Sequence, residues 1–283
     1  DFKINALVAM STKTIVVTRP SGQARQLIEA HTRAIEASGV GKRSLPEILS
    51  LPLLTIVPRS DEYLADQIAT ILSDVDLAIF VSPNAIESVM RLLERDWQDF
   101  SKKIIPIGVM GGSSNLALKN HGIGLEENPT PIIIPKNNEN WDSEGLWQEL
   151  GSLQWNWQNK RVVIFKGEGG RDWLADTLTK AGAAVEAIST YTRMPLDLDN
   201  PAWHLVREMD LSKSLWLLTS SEAVRYLGEV MKDQFTQNLN AASALCPHHN
   251  IADAAELIGF GEVFTSEPGD EALVKSTLAW LTI

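Results

Sequence analysis

Cysteine is nearly absent: Cys246 stands alone among 283 residues. A single thiol excludes an intrachain disulfide and suits a reducing compartment. Basic charge is also in deficit. The formal net charge is −11, which argues against a nucleic-acid-binding surface but leaves open an anionic ligand held in a local cleft. Helix N-termini present free N–H groups whatever the total charge. No apolar run reaches the roughly 18–20 residues of a membrane helix. The first residues lack the basic-then-apolar layout of a signal peptide, and residues 1–13 read as a mobile tail. Neither a P-loop nor a dinucleotide fingerprint occurs; Gly167-Glu168-Gly169-Gly170 has the wrong spacing for both.

The chain is organised around Arg161–Pro195. Arg161–Phe165 is rich in β-branched and aromatic residues and predicts a buried strand. Lys166–Gly170 supplies glycines for a sharp turn, and Asp172–Lys180 has the apolar spacing of one helix face, with Gly182 at its end. Val185–Thr190 predicts a second strand with Tyr191 at its tip as a half-buried aromatic, flanked by Thr190, Thr192 and Arg193. This strand–turn–helix–strand unit is the repeating piece of a doubly wound α/β domain.

The same design occurs near the start, with a strand at Thr14–Thr18, a polar turn at Arg19–Gln23 and a helix at Ala24–Ser38 closed by Gly39. A second pairing matches Leu77–Leu93 with Leu215–Leu227, each an apolar strand, a Ser-rich turn and a helix. The chain therefore reads as two copies of one design. Further strands are predicted at Lys102–Gly108, Ile132–Pro135, Ala241–Leu245 and Glu262–Ser266, with a flexible loop at Val109–Ser114. Leu49–Pro58, interrupted by Pro52, predicts a strand at an edge or between domains. Strands alternate with helices throughout, which implies parallel sheets. Trp141, Trp147, Trp155 and Trp157 crowd between the repeats and are expected to pad a local core.

Open α/β sheets bind ligands at the carboxyl ends of their strands. The loops there are rich in Ser, Thr, Gly and Asn, which suits several carboxylates or phosphates, and Arg19, Lys166, Arg171 and Arg193 add charge. Ser82 and Ser221 serve equally as helix caps, with Pro83 at the first helical position. His248 and His249 are adjacent and point apart, with no third ligand spaced nearby, so a metal site is not expected. Cys246 after an apolar strand reads as packing rather than as a nucleophile.

Taken in order, the segments resemble the uroporphyrinogen-III synthase family. They are Thr18-Arg19-Pro20, the Phe80–Ala85 turn, Ile107-Gly108, the Lys166–Arg171 turn, Gly182 with Tyr191 in a Tyr-x-Arg setting, Thr219–Ala223, and His248–Ala252 with Ala255 and Gly259. The resemblance spans about residues 14–283. Two departures stand out. The loop after Gly108 is longer and glycine-rich, with Ser113 or Ser114 in the place of a threonine, and His249-Asn250 replaces Pro-Arg.

The resemblance implies two α/β domains joined by two extended connectors, near 49–54 and 189–195. Residues 1–48 with 196–283 would form one discontinuous domain and 55–188 the other; the sequence alone equally allows two consecutive domains. The implied reaction closes hydroxymethylbilane to uroporphyrinogen III with inversion of the last pyrrole ring, through a spiro intermediate and with loss of water. No cofactor or metal is implied. Tyr191 is the implied donor to the leaving hydroxyl. Thr18, Arg19, Ser82, Asn84, Ser113, Ser114, Lys166, Gly170, Arg171, Thr219, Ser220, Ser221 and His248 are the implied substrate contacts. The resemblance further implies a monomer of the cytoplasm or plastid stroma that binds neither nucleic acid nor membrane and meets the upstream bilane-forming enzyme transiently. A two-domain solute-binding protein and a sugar-nucleotide transferase are the alternatives.

Overall fold

The computed structural model describes residues 12–40 and 45–283. Most of the expected mobile tail, and Lys42 and Arg43 of the first connector, lie outside the described residues. Lys13 is anchored: its Nζ donates to the Trp280 and Leu281 carbonyls at 3.3 and 3.4 Å.

In chain order the elements begin β1 (Thr14–Val17), α1 (Ser21–Ser38), β2 (Glu47–Ser50), β3 (Leu54–Pro58), α2 (Glu62–Leu72), β4 (Leu77–Phe80) and α3 (Pro83–Leu93). Then come β5 (Ile107–Val109), α4 (Gly112–Asn120), β6 (Ile132–Ile133), α5 (Ser143–Leu150), β7 (Arg161–Gly167), α6 (Trp173–Lys180) and β8 (Ala184–Pro195). The last are α7 (Ala202–Glu208), β9 (Ser214–Leu217), α8 (Ser221–Gln234), β10 (Ser243–Cys246), α9 (His249–Leu257), β11 (Glu262–Thr265) and α10 (Asp270–Leu281).

The chain divides into two compact units. One contains the described residues up to Thr55 together with Met194–Ile283; the other is Ile56–Arg193. The first holds a sheet of order β2-β1-β9-β10-β11, and the second a sheet of order β3-β8-β7-β4-β5-β6. Apart from the added edge strand β3, the two orders correspond strand for strand: β1 takes the place of β7, and β9 that of β4. This is the repeat seen in the sequence, with the halves joined in a different order. The pairings of β1 with β2 and β9, of β10 with β9 and β11, of β4 with β5 and β7, and of β7 with β8 are parallel.

Successive strand residues face opposite sides of a sheet, and both sides are filled. In the first unit, Val16, Trp216 and Ala244 join one buried cluster, and Ile15, Val17, Leu215 and Leu217 the other. In the second, Ala78, Phe80, Val163 and Phe165 face one side, and Leu77, Ile79, Val162 and Ile164 the other. Covering on both faces is what makes these strands uniformly apolar. Trp147, Trp155 and Trp157 form the expected local core beside the second cluster. Trp141 sits apart from them, against Gly111 and Gly112.

Several segments differ from expectation. β5 is only Ile107–Val109 rather than Lys102–Gly108. The Val109–Ser114 loop is short, because α4 already begins at Gly112. β8 runs 12 residues, so Tyr191 lies inside a strand rather than at its tip. Residues 49–54 and 189–195, expected as connectors, fall in or beside strands: β2 ends at Ser50, β3 begins at Leu54, and β8 continues to Pro195.

His31 joins α1 to α10. It occupies the apolar stripe of α1 with Ala24, Leu27 and Ile35. Its Nδ1 lies 2.8 Å from the Leu27 carbonyl and its Nε2 2.9 Å from Thr277 Oγ1. Burial holds its pKa below the ordinary 6.5, against the opposing pull of the Leu27 carbonyl and Asp270. The unfolded chain therefore binds this proton more readily, and stability present above about pH 6.5 is lost as pH falls toward the lowered folded value. Urea unfolding at about pH 7 and about pH 5 should show a loss that His31→Gln flattens. An unchanged slope in that variant would acquit His31.

Candidate active site

In each sheet the strand order reverses once, and ligands of open α/β sheets bind beyond the strand ends at such a point. In the second unit the reversal lies between β4 and β7, and in the first between β1 and β9. The residues that follow these strands are therefore the ones placed to meet a ligand.

Ser82 follows β4 and caps α3, with its Oγ accepting the Ala85 N–H at 3.2 Å and Pro83 opening the helix. Ser82 is thus a helix cap, but it does more than cap. Ser82 Oγ also lies 2.8 Å from the Tyr191 hydroxyl. Arg193 Nη2 donates to that same phenol oxygen at 3.1 Å, and its guanidinium lies over the Tyr191 ring at 5.2 Å. Tyr191 is fully buried, not half-buried, and packs in the cluster of Phe80, Phe165 and Ile188.

A β-bulge aims Tyr191 at this place. β8 pairs in register with β7 until Lys166 faces Ser189; the next pair is Gly167 with Tyr191, which leaves Thr190 as the extra residue. Without it, Ile188 and Tyr191, three apart, would face opposite sides of the sheet. With it, they share one. Gly167 supplies the space: a Cβ there would stand 2.7 Å from Tyr191 Cε2 and Cζ and 3.1 Å from Arg193 Nη1. In the sequence, Gly167 reads only as part of a generic turn.

Beside this group lies a pocket of about 220 Å³, lined by Val81, Met110, Ser143, Lys166, Gly170 and Arg193 among others. Gly169 and Gly170 have left-handed φ values of 74° and 84°, which glycine adopts without strain. The positive charges expected here are engaged. Lys166 Nζ donates to Asp172 Oδ1 at 2.5 Å, and Arg171 pairs with Glu144, whose carboxyl it holds below the usual range. Asn84 is half-buried in the first turn of α3. The expected contacts Ser113 and Ser114 lie within α4 rather than in a loop; Ser113 is exposed and Ser114 is buried.

In the first unit, Thr18 turns inward: its Oγ1 donates to the Leu217 carbonyl at 2.7 Å, tying β1 to β9 across the reversal. The hydrogen of that hydroxyl is committed to the Leu217 carbonyl. Arg19 pairs with Asp270 at 2.7 Å. Ser220 caps α8 by accepting the Ala223 N–H at 3.3 Å, as Ser82 does for α3, with Thr219 before it and Ser221 opening the helix. His248 caps α9 through Nδ1, which accepts the Asn250 N–H at 3.2 Å. Cys246 is buried, and its thiol is pushed up to about 12, chiefly by burial, so it has no nucleophilic character. Among the described residues no group of three or more His, Cys, Asp or Glu is placed to hold a metal, and no helix is long and apolar enough to cross a membrane.

Residues 41–275 match the family described as "Uroporphyrinogen-III synthase HemD". The uroporphyrinogen-III synthase of Escherichia coli K12 is 27% identical over 270 residues, covering 93% of this chain and 99% of that protein. That of Proteus mirabilis is 30% identical over 187 residues, covering 65% of this chain and 82% of that protein. Among solved structures, a mutant uroporphyrinogen III synthase from Thermus thermophilus matches with a TM-score of 0.61 at 16% identity, over 96% of this chain and all of that one (100%). The enzyme from Helicobacter pylori 26695 matches at 0.58 and 14%, over 95% and 100%. At such identities these two structures speak for the two-domain α/β fold alone. The solute-binding alternative gains no support from any of them.

Proposed function

Since the chain belongs to the uroporphyrinogen-III synthase family, we propose that it closes hydroxymethylbilane to uroporphyrinogen III with loss of water, a lyase step in tetrapyrrole biosynthesis. The observation that carries this to particular residues is the hydrogen bond between Ser82 and Tyr191 beside the reversal of the second sheet. The reaction needs a proton for the departing hydroxyl. A phenol carries an O–H that it can donate, and Tyr191 is the residue in the role of proton source. The substrate's carboxylates call for many modest donors rather than one strong one. Backbone N–H groups in the first turns of α3 and α6 are such donors, favoured further by the helix dipoles. Because Lys166, Arg171 and Arg19 already have carboxylate partners, they serve a bound anion less than their charge suggests.

The test is to mix the protein with hydroxymethylbilane made fresh by its upstream enzyme and to separate the product isomers after oxidation. Type III is expected to dominate. Type I alone, the uncatalysed product, would remove this function.

A further inference from the structure

We propose that Ser82 is the group that meets the leaving hydroxyl, and that Tyr191 acts through it as a proton source whose direction is fixed by Arg193. This rests on the reading of Tyr191 as the proton source.

The direction follows from counting donors. Arg193 has donors only, so at 3.1 Å it must donate to the phenol oxygen. The phenol's own hydrogen then goes to its other neighbour, Ser82 Oγ, at 2.8 Å. Ser82 Oγ also accepts the Ala85 N–H at the start of α3. A hydroxyl oxygen accepts at two lone pairs and gives one hydrogen. Both lone pairs are filled, so the Ser82 hydrogen is left to point at a third group. The donors run one way, from Arg193 to Tyr191 to Ser82 and outward, and such chains reinforce each member.

Burial divides the roles. Tyr191 is 0% exposed, packed among Phe80 and Phe165 and covered by Gly167. Ser82 is only half-buried, at the strand end where a ligand arrives. A buried phenol cannot touch a tetrapyrrole without moving, whereas a half-buried serine in front of it can.

The Ser82 hydrogen passes to the terminal hydroxyl oxygen as the C–O bond breaks, and that oxygen leaves as water with the bonding electrons. The pyrrole nitrogen lone pair fills the carbon left behind. The phenol hydrogen moves to Ser82 Oγ, and the guanidinium of Arg193 holds the phenolate. When the closing pyrrole carbon gives up its hydrogen on regaining aromaticity, that proton returns through Ser82 to Tyr191.

The experiment measures kcat, KM and isomer ratio with fresh hydroxymethylbilane for Ser82→Gly, Ser82→Asp, Ser82→Thr, Tyr191→Phe and the Ser82→Gly/Tyr191→Phe pair, with thermal unfolding of each. Glycine caps a helix nearly as well as serine, and aspartate equally well but with no hydrogen to give. Threonine keeps both cap and hydroxyl. Ser82→Gly, Ser82→Asp and Tyr191→Phe should each lower kcat by about 10²–10⁴ with KM little changed. The double variant should fall no further than the worse single one, and threonine should restore turnover. Normal kcat in the glycine or aspartate variant, beside a slow Tyr191→Phe, overturns the relay and leaves Tyr191 acting directly. Multiplying losses in the pair, or a change confined to KM, overturn it as well. Normal turnover in Tyr191→Phe removes the underlying reading of Tyr191 itself.

Discussion

Tyr191→Phe is expected to lower turnover by about 10²–10⁴, the usual worth of general acid catalysis, while leaving the protein folded. The ring fills the same space among Phe80, Phe165 and Ile188, so the core of the second unit keeps its packing. What disappears is the oxygen between Ser82 at 2.8 Å and Arg193 at 3.1 Å. Both partners are half-buried and regain water as a partner, so the stability loss should stay near the net value of ordinary hydrogen bonds, about 0.5–1.5 kcal/mol each. Residual turnover should persist, because holding the chain ends in place contributes independently, up to about 7–11 kcal/mol in favourable cases. Single-turnover kinetics with the isomers resolved, beside a thermal melt, read both quantities. A large melting shift with normal kcat would make Tyr191 a core residue and nothing more.

Much of the frame was legible because both units repeat a strand, a polar turn and an amphipathic helix, and each step has its own period. The helices expected at Ala24–Ser38 and Asp172–Lys180 are present as α1 and α6, and Gly39 closes α1 with a φ of 69°. The site was legible only as a set of residue types. The Thr190 bulge leaves no mark in the sequence of Ala187–Thr192, yet it decides which way Tyr191 faces. The partners of Lys166, Arg171 and Arg19 come from other turns or elements, and no spacing rule predicts them. Gly111 and Gly112 read as flexibility but serve closeness, since a Cβ on Gly112 would stand 2.7 Å from the Trp141 ring. His31 carried a readable signal, an imidazole in the apolar stripe of α1, that went unused.

Gly167→Ala should damage catalysis more than its one added carbon suggests. The new Cβ would stand 2.7 Å from two ring carbons of Tyr191, closer than carbon atoms tolerate. The ring cannot retreat easily: Phe80 and Phe165, stacked at 5.0 Å, belong to the cluster that holds it. Either β7 separates from β8 or the ring tilts, and overpacking of this kind costs about 1–3 kcal/mol. Both movements draw the phenol away from Ser82, and a misplacement of about 1 Å can cost about 10²-fold in rate. Gly169→Ala is the control. A Cβ there meets nothing within 4 Å, but the φ of 74° is unfavourable for alanine, by about 1–2 kcal/mol. The two variants should therefore lose comparable stability while only Gly167→Ala loses most of its turnover. Equal turnover in the two would mean that the position of the Tyr191 hydroxyl does not govern the rate, and the weight of catalysis would pass to the grip on the substrate's carboxylates.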